Sequence, residues 1–401
     1  MAMTAREKYL EILRAYREKR LIKVISGIRR CGKSTLLEMF QQELLKEGIE
    51  RSRIISLNFE DMAFRRLLTA DALYDHLEKL IAAEKMNYIF LDEIQMVTDF
   101  ERVTNSLFIR KNVDLYITGS NAYFLSSELA TLLTGRYIEI KMLPLSFREY
   151  VSAFPQPLDL REAYERYAEF GSFPQAVELY GENPDLVARY VQGVYDTVIY
   201  KDIVARKNIK NDIVLQDVAK FLFDNIGNVT SSKRIADYLS AHHRKTSYHT
   251  VENYITALAD SFVIYPVSRF EIKGKTILQT LKKYYVADTA FRRLLSDASP
   301  SDFGRVLENI VFLELKRRYD KVWTGKNREN EIDFVVKDDM GYIYFQVALT
   351  VRDEKTKSRE LAPFGIRDNH RKILLTMDPE EGSINGILQK NAIKWLMENQ
   401  H

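Results

Sequence analysis

The chain has 401 residues, of which 46% are hydrophobic and 29% charged, and its formal net charge at pH 7 is +3. This length exceeds one ordinary hydrophobic core, so we expect roughly two to four domains, and the small charge gives no general argument for a polyanionic partner. The single cysteine, Cys31, excludes an intramolecular disulfide and a cysteine-based metal cluster and is typical of a reducing, cytoplasmic environment. No apolar run of about 18 residues predicts a membrane span, and residues 1–20 lack the apolar core of a signal peptide.

A glycine-containing turn follows the first predicted strand. Residues 4–19 have the pattern of an amphipathic helix, residues 21–26 that of a strand and residues 33–47 that of a second helix. Between this strand and this helix, glycine, lysine and serine have the spacing of a phosphate-binding loop. The residues expected to contact phosphate are Gly27, Ile28, Arg29, Arg30, Cys31, Gly32, Lys33, Ser34 and Thr35.

The residue types of this loop suit phosphate binding. Glycine lets the backbone turn tightly, so that N–H groups and the helix N-terminus face the phosphate oxygens. Lys33 is a compact cation that can reach the β- and γ-phosphates, and the Ser34 hydroxyl can bind Mg2+. Basic neighbours and a helix N-terminus lower a thiol pKa, so a reactive Cys31 and a buried, inert Cys31 both stay open.

Two carboxylates follow the strand predicted over residues 87–91. They come after a second strand at 53–59 and a helical pattern at about 69–84. In doubly wound sheets ligands bind at the carboxyl ends of the strands. Asp92 is suited to hold the Mg2+ that Ser34 also binds, and Glu93 is suited to polarise an attacking water.

A further strand, residues 114–118, precedes Ser120 and Asn121. Their polar side chains are placed to orient the water or to contact the γ-phosphate. The alternative is a capped turn before a helix at 122–133, and the sequence leaves both open.

In this order and spacing, Gly27–Ser34, Asp92-Glu93 and Ser120-Asn121 resemble the Walker A, Walker B and sensor 1 motifs of an AAA+ ATPase. Residues 133–137 and 143–150 are similar to one bacterial and archaeal family of such ATPases, whose members carry a companion C-terminal domain. Gly171-Ser172-Phe173-Pro174 resembles that family's Gly-Gly-Phe-Pro signature, with Ser172 in place of the second glycine.

The resemblance extends over the whole chain and is strongest over residues 21–150. It implies an α/β core with a parallel sheet over residues 1–145 and a helical lid over 146–210. A lid arginine often senses nucleotide in such proteins. Arg189 and Arg206 are available, but no motif selects between them, and a solvated or structural role is the alternative for each.

Residues 211–299 are expected to form a winged-helix region. Helices at 231–240 and 247–259 and strands at 262–267 and 275–278 resemble that fold. Nine basic and four acidic residues between 231 and 285 give a net charge of +5, which permits DNA phosphate contacts; a protein-docking role is the alternative. The basic residues are Lys233, Arg234, Arg244, Lys245, Arg269, Lys273, Lys275, Lys282 and Lys283.

Residues 300–401 look like a restriction-endonuclease-like α/β module of the PD-(D/E)XK type. Glu308 lies on a predicted helix at 303–319, and Asp333 on a strand at 331–336. In such nucleases Asp333 and the next acidic position hold metal, and a lysine two residues on supports the nucleophilic water. Here these two positions are Gln346 and Ala348, so we expect the fold without cleavage. An active nuclease would need a lysine from elsewhere beside Asp333.

The core motifs place no arginine on the γ-phosphate, where an added guanidinium can raise turnover by about a thousandfold or more. The resemblance implies that a neighbouring subunit supplies it. Arg136 is the candidate, with a structural arginine beside Gly135 as the alternative. We therefore expect a cytoplasmic ATPase that uses ATP and Mg2+, forms a ring or head-to-tail homo-oligomer and acts on an unidentified protein partner. An ATP-switched DNA-binding protein and an ATP-gated nuclease stay open as alternatives.

Overall fold

The structure is a computed structural model that describes residues 4–121, 135–207, 209–242, 244–296, 302–327, 330–366 and 368–398, with only the backbone of residues 182, 279 and 280. The helix predicted at 122–133 lies outside these residues. The chain divides into an N-terminal unit, Ala5–Pro144 with Asp260–Phe262, and a C-terminal unit, Met1–Thr4, Leu145–Ala259 and Val263–His401.

Five parallel strands form the sheet of the N-terminal unit, in the order β2-β3-β4-β1-β5, which confirms the predicted α/β core. The strands are β1 Ile22–Ser26, β2 Ile54–Asn58, β3 Asn87–Asp92, β4 Val113–Gly119 and β5 Tyr137–Lys141. The helices are α1 Glu7–Tyr16, α2 Lys33–Lys46, α3 Ala70–Glu78 and α4 Phe100–Ile109, with 3-10 turns at Arg51–Arg53, Met62–Leu67 and Ile94–Met96.

This sheet is buried on both faces, as its nearly continuous apolar strands require. Because side chains alternate along a strand, Ile89 and Leu91 of β3 join the apolar core formed with α3 and α4. Phe90 points to the opposite face, where its ring stacks on Tyr116 at 4.7 Å between centroids, and Phe40 of α2 lies 5.3 Å from the same tyrosine. Helices thus pack on both faces of the sheet and hold in place the strands whose carboxyl ends carry the candidate site.

The helix predicted from the pattern of residues 69–84 is shorter in the structure, where α3 ends at Glu78. The side chain of Asn87 accepts a hydrogen bond from the Ala82 N–H and donates one to its carbonyl, both at 2.9 Å. These local bonds hold the chain before β3 in a turn and compete with helix.

The C-terminal unit contains one mixed sheet of eight strands in the order β12-β13-β11-β10-β9-β8-β6-β7. The pairs β6–β8, β10–β11 and β11–β13 are parallel and the others antiparallel. The strands are β6 Ile264–Glu271, β7 Thr276–Val286, β8 Val322–Asn327, β9 Asn330–Asp338, β10 Gly341–Ala348, β11 Arg371–Thr376, β12 Gly382–Ile384 and β13 Ile387–Asn391. The hairpin β6–β7, from the predicted winged-helix region, therefore shares a sheet with the strands after residue 300.

Helices cover most of residues 147–260, and further helices alternate with the strands after residue 288. They are α5 Phe147–Ser152, α6 Leu160–Phe170, α7 Pro174–Glu182, α8 Pro184–Asp196, α9 Asp212–Asp224, α10 Ser232–Ala241, α11 Tyr248–Asp260, α12 Thr289–Leu295, α13 Phe303–Arg318, α14 Glu354–Leu361 and α15 Ala392–Met397. A π-helical segment, Thr197–Val204, continues α8 and leads into a helical turn, Ala205–Lys207, and Ala362–Phe364 is a 3-10 turn. Within the described residues, no helix is long and apolar enough to cross a membrane.

The Gly-Ser-Phe-Pro stretch connects α6 to α7 and packs on the start of α12. Gly171 has a φ of 78°, in the left-handed region. Ser172 donates from its N–H and its hydroxyl to Asp288 Oδ2, at 2.7 and 2.8 Å, while Asp288 Oδ1 accepts from the Ala290 N–H and caps α12. A serine at this position therefore gives Asp288 a hydroxyl donor that a glycine lacks.

Candidate active site

The predicted phosphate-binding loop lies between β1 and α2, and its turn depends on glycine. An alanine at Gly27 would place its Cβ 2.2 Å from the Met142 carbonyl oxygen. Gly32 has a φ of 101° and precedes the first turn of α2, and Arg30 is also left-handed, with a φ of 68°. The sequence Arg30-Cys31-Gly32 thus reverses the chain so that α2 begins at Lys33.

Lys33 joins the loop to the end of β3. Its ammonium donates to the carbonyl oxygens of Gly27 at 3.1 Å and Ile28 at 3.4 Å. It also lies 3.6 Å from Glu93 Oε1, and both side chains are almost fully buried. The predicted phosphate-binding lysine and the predicted water-orienting acid are therefore ion-paired partners.

Asp92 is brought together with Ser34, as the sequence predicts for a shared Mg2+ site. The Ser34 hydroxyl and the Thr118 hydroxyl both donate to the Asp92 carboxylate. Burial raises the pKa of Asp92, and these hydrogen bonds oppose the rise. A hydroxyl and a carboxylate are the hard oxygen ligands that Mg2+ prefers, so the donor set fits this ion.

Two side chains donate to one carboxylate oxygen of Glu93, and Lys33 lies beside the other, Oε1. Ser120 Oγ donates to Oε2 at 3.0 Å, and the Gln95 amide donates to the same oxygen. Burial opposes ionisation of Glu93, but the charges of Lys33 and Arg29 outweigh it and hold the pKa of this carboxyl below its ordinary value. Glu93 is thus an ionised carboxylate with a fixed orientation.

The polar end of β4 lies beside these acids because β4 runs between β1 and β3. Ser120 contacts Glu93 directly, whereas Asn121 is buried at the last described position before residue 135. Through Ser120, the sensor-like pair is therefore in contact with Glu93.

Two further side chains at the site are missed by the sequence analysis. Thr118 Oγ1 accepts a hydrogen bond from the Glu93 N–H at 2.9 Å while it donates to Asp92. Gln95 follows Glu93 by two residues and also approaches Ser120 Oγ at 3.5 Å. The available signal for Thr118 was a polar residue at the carboxyl end of β4, directly after the apolar Ile117; Gln95 offered none.

Arg136 precedes β5 and contacts α4. Its guanidinium donates to the Asn105 side chain and lies 5.5 Å from the centroid of the Phe108 ring. Arg20 lies 5.7 Å from the same ring. Within this chain Arg136 is therefore supported by an amide and an aromatic ring.

Cys31 is fully buried, and its thiol donates to the Met142 carbonyl over 3.6 Å. Burial raises the pKa of this thiol, and the charges of Lys33 and Arg6 only partly offset that rise. A lowered pKa, one of the two outcomes that the sequence left open, is thus wrong, because desolvation outweighs the basic neighbours. Elsewhere in the loop, Ile28 is buried, Thr35 is half-buried and Arg29 pairs with Glu60 at 2.7 Å.

The basic surface proposed for DNA is smaller than the sequence count suggests. Lys283 is only 3% exposed and pairs with acidic side chains, so it cannot contact DNA. Arg269 and Lys282 are partly buried, and Arg244 pairs with Asp217 at 3.2 Å. The exposed basic residues are Lys233, Arg234, Arg244, Lys245, Lys273 and Lys275.

Neither candidate sensing arginine of the lid is marked out by its contacts. Arg206 lies 4.0 Å from Asp202 on the π-helical segment, and Arg189 is exposed on α8. The choice between them stays open.

Comparison with known proteins gives matches for most of the chain. Residues 19–151 match the family described as AAA domain, and residues 161–302 match a domain of unknown function. A solved structure of a Walker-type ATPase from Pyrococcus abyssi shares the fold with a TM-score of 0.52 at 16% identity, covering 73% of this chain and 95% of that one.

Two curated proteins are similar in sequence. An uncharacterized protein of Methanocaldococcus jannaschii is 29% identical over 381 residues, which cover 90% of this chain and 82% of that protein. An uncharacterized protein of Haemophilus influenzae is 36% identical over 402 residues, covering 99% of both chains. The chain therefore belongs to the same family as the Haemophilus influenzae protein, and residues 19–151 are its AAA domain.

Proposed function

We propose that this protein is an ATPase that hydrolyses the β–γ bond of ATP with water. The observation that carries the proposal is the contact of four side chains from two segments: Ser34 with Asp92, and Lys33 with Glu93. A P-loop fold alone supports nucleotide binding; the buried, oriented Glu93 carboxylate supports hydrolysis.

Each residue has a separate role in this proposal. Ser34 and Asp92 would hold Mg2+, which withdraws charge from the phosphate oxygens. Lys33 supplies a positive charge to the β- and γ-phosphates. Phosphate and Glu93 compete for the Lys33 ammonium, so phosphate binding frees Glu93 Oε1 to accept a proton from the attacking water, while Ser120 and Gln95 hold Oε2.

The test is Mg2+-dependent ATP turnover by the full chain. Lys33→Ala should weaken ATP binding, and Glu93→Gln should retain binding while turnover falls by about 100-fold. Lys46→Ala and Glu38→Gln, exposed positions on the same helix α2, are the matched controls and should behave like wild type. Wild-type turnover by Glu93→Gln would show that this carboxylate does not act on the water.

We propose further that hydrolysis drives or switches a homo-oligomer in which Arg136 reaches the site of the next subunit. The asymmetric contact of such an interface would produce a ring or head-to-tail assembly. The partner on which the assembly acts can be sought with Glu93→Gln, which should stay in the ATP state and retain bound proteins.

The proposed domains are the core, residues 1–145, the lid, 146–210, a winged helix, 211–299, and a nuclease-like module, 300–401. Support for the winged helix comes from the order α9, α10, α11 and the hairpin β6–β7, with an isolated bridge between Thr230 and Lys282. Support for the last module comes from α13 followed by β8, β9 and β10.

A DNA-binding role is the second candidate function. A cleft between α9 and α10 is lined by Lys220, Arg234 and Arg244, and the exposed Tyr238 ring is a surface on which a base could stack. Asp217 and Asp224 also line this cleft and reduce its positive charge. Binding that weakens steeply with salt and is lost in Arg234→Ala would favour this candidate.

A further inference from the structure

One buried lysine of the C-terminal unit, Lys283, lies against an acidic cluster, defined as Glu308, Glu331 and Asp333, of which Asp333 is buried and the two glutamates are half-buried. The Lys283 ammonium of β7 lies 2.9 Å from Glu331 Oε1, 3.0 Å from Glu308 Oε1 and 3.4 Å from Asp333 Oδ1. The Tyr285 hydroxyl donates to the same Glu308 oxygen at 2.6 Å. A lysine from another strand therefore does lie beside Asp333, as an active nuclease would need.

The other polar atoms around Asp333 are also engaged within the protein. Its Oδ2 accepts from the Val347 N–H at 2.9 Å, and its own N–H donates to Gln346 Oε1 at 3.3 Å. The Gln346 amide nitrogen donates to Glu360 at 3.0 Å. The carboxamide that replaces the second acid thus uses its oxygen and its nitrogen in protein hydrogen bonds.

The Lys283 side chain is charged, and separating it from the acidic cluster would cost free energy. Burial opposes the ammonium, but Glu308 and its neighbours outweigh it and hold the pKa of Lys283 well above the ordinary range. A lysine in this state does not act as a base. Removing one member of such a buried pair leaves an uncompensated charge, which is strongly destabilising.

A divalent metal does not fit this arrangement as it stands. Lys283 already lies between the carboxylate oxygens of Glu308 and Asp333 that a metal would need, and an ammonium and a divalent cation repel. Among the described residues, no group of three acidic, histidine or cysteine side chains is placed to hold a metal.

We propose that the Lys283 ammonium is the resident cation of this nuclease-like site and takes the place of a divalent metal. In this role it ties β7 to α13 and β9 by charge, and the site performs no phosphodiester cleavage. One of the nine positive charges that were counted between residues 231 and 285, that of Lys283, therefore pairs with acids inside the protein and is not available to DNA.

The test measures Mn2+ binding to the nucleotide-free, chelator-treated full chain by the electron paramagnetic resonance signal of free Mn2+. All proteins carry Asp92→Asn, so that the candidate active site does not contribute. Adding Asp333→Asn should leave Mn2+ binding unchanged. Adding Lys283→Met, which keeps the apolar stem, should create one additional Mn2+ site per chain and a Mn2+-dependent rise in the unfolding midpoint, and both should disappear when Asp333→Asn is also present.

Lys282→Met is the matched control, because Lys282 is the preceding residue on β7 and is half-buried, whereas the ion pairs to the acidic cluster come from Lys283; it should create no site. Mn2+ bound by the Lys283-containing chain and lost in Asp333→Asn would overturn the proposal, and this comparison holds even if Lys283→Met fails to fold. A folded Lys283→Met chain that gains no Mn2+ site would also overturn it.

Linear and supercoiled DNA should stay intact with ATP and Mg2+ or Mn2+; cleavage abolished by Asp333→Ala would contradict the proposal.

Discussion

A single threonine hydroxyl connects the two acids of the candidate active site. Thr118 Oγ1 donates to Asp92 and accepts from the backbone of Glu93, so it fixes the side chain of one and the position of the other. Glu93 needs this support because its backbone is in the left-handed region, with a φ of 54°, which costs energy for a residue other than glycine. We therefore propose that Thr118 is a positioning residue for the proposed hydrolysis.

Replacing Thr118 by valine keeps the shape of the side chain and removes both hydrogen bonds. We expect Thr118→Val to lower the turnover of ATP by roughly tenfold, since a hydrogen bond to a charged group contributes about 1.5–3 kcal/mol. Thr118→Ser should restore most of the activity because it keeps the hydroxyl. Steady-state turnover measures the effect.

Thr104→Val is the control for this experiment. Thr104 is equally buried, on α4, and its hydroxyl donates to the Glu101 carbonyl at 3.0 Å, so its loss should affect stability and leave turnover unchanged. Equal turnover of Thr118→Val and wild type would contradict the positioning role.

At the scale of secondary-structure elements, the junction of α6, α7 and α12 depends on one glycine. In Gly171→Ala the new Cβ would lie 1.8 Å from Asp288 Oδ1, at a φ of 78°. We expect the free energy of unfolding to fall by about 2–4 kcal/mol, from overpacking and backbone strain together. Chemical denaturation of the full chain measures it.

Gly193→Ala gives the contrasting control. Gly193 lies within α8, and no neighbouring heavy atom lies within 4 Å of the position that an added Cβ would take. Alanine should therefore raise the free energy of unfolding by about 0.5–1 kcal/mol. If both substitutions changed the free energy of unfolding equally, the close approach of Asp288 would not explain the glycine at position 171.

Asp288 makes this junction sensitive to pH. Burial raises the pKa of its carboxyl from 3.8 to about 6, although hydrogen bonds from Ala290 and Ser172 oppose the rise. The folded chain then binds more protons at Asp288 than the unfolded chain between about pH 4 and pH 6, so the stability contributed by this group falls as pH rises through this window. The loss is about 3 kcal/mol at most.

The measurement is the free energy of unfolding of wild type and Asp288→Asn from pH 3.5 to 7. Asparagine does not titrate, so the stability of wild type minus that of the variant should decrease as pH rises from about 4 to about 6. A difference that is independent of pH would rule out this titration.

At the scale of the whole molecule, the proposed oligomer makes each active site depend on two chains. Arg136→Ala and Lys33→Ala should each be nearly inactive alone. When they are mixed under conditions in which subunits exchange, part of the activity should return, because some interfaces pair an intact Lys33 site with an intact Arg136. ATP turnover of the mixture measures this.

Arg20→Ala is the control, since Arg20 lies against the same Phe108 ring, and it should remain active. Two results would contradict the proposed role of Arg136 at the active site of the neighbouring subunit. One is full activity of Arg136→Ala alone, and the other is no recovery in a mixture whose subunits are known to exchange.

Features formed by residues that are neighbours along the chain could be predicted from the sequence. The predicted phosphate-binding loop and the Asp92-Glu93 pair each consist of consecutive residues. The types of these residues were enough to suggest phosphate and Mg2+ binding. Short, mainly apolar runs were enough to predict β1 to β4, whereas β5, Tyr137–Lys141, was not predicted as a strand. The family resemblance of the core, drawn from these motifs, agrees with the match of residues 19–151 to the AAA domain.

Contacts between residues that are distant in sequence could not be predicted, because they depend on how the chain folds. Thr118 reaches acids about 25 positions away, and Lys283 reaches an aspartate 50 positions away, because sheet order, not sequence spacing, sets these neighbours. Burial decided the sign of two further effects. It raises the pKa of Cys31 where basic neighbours predict a fall, and it turns Lys283 from an expected surface charge into an internal cation, since the cost of desolvation depends on the surrounding fold.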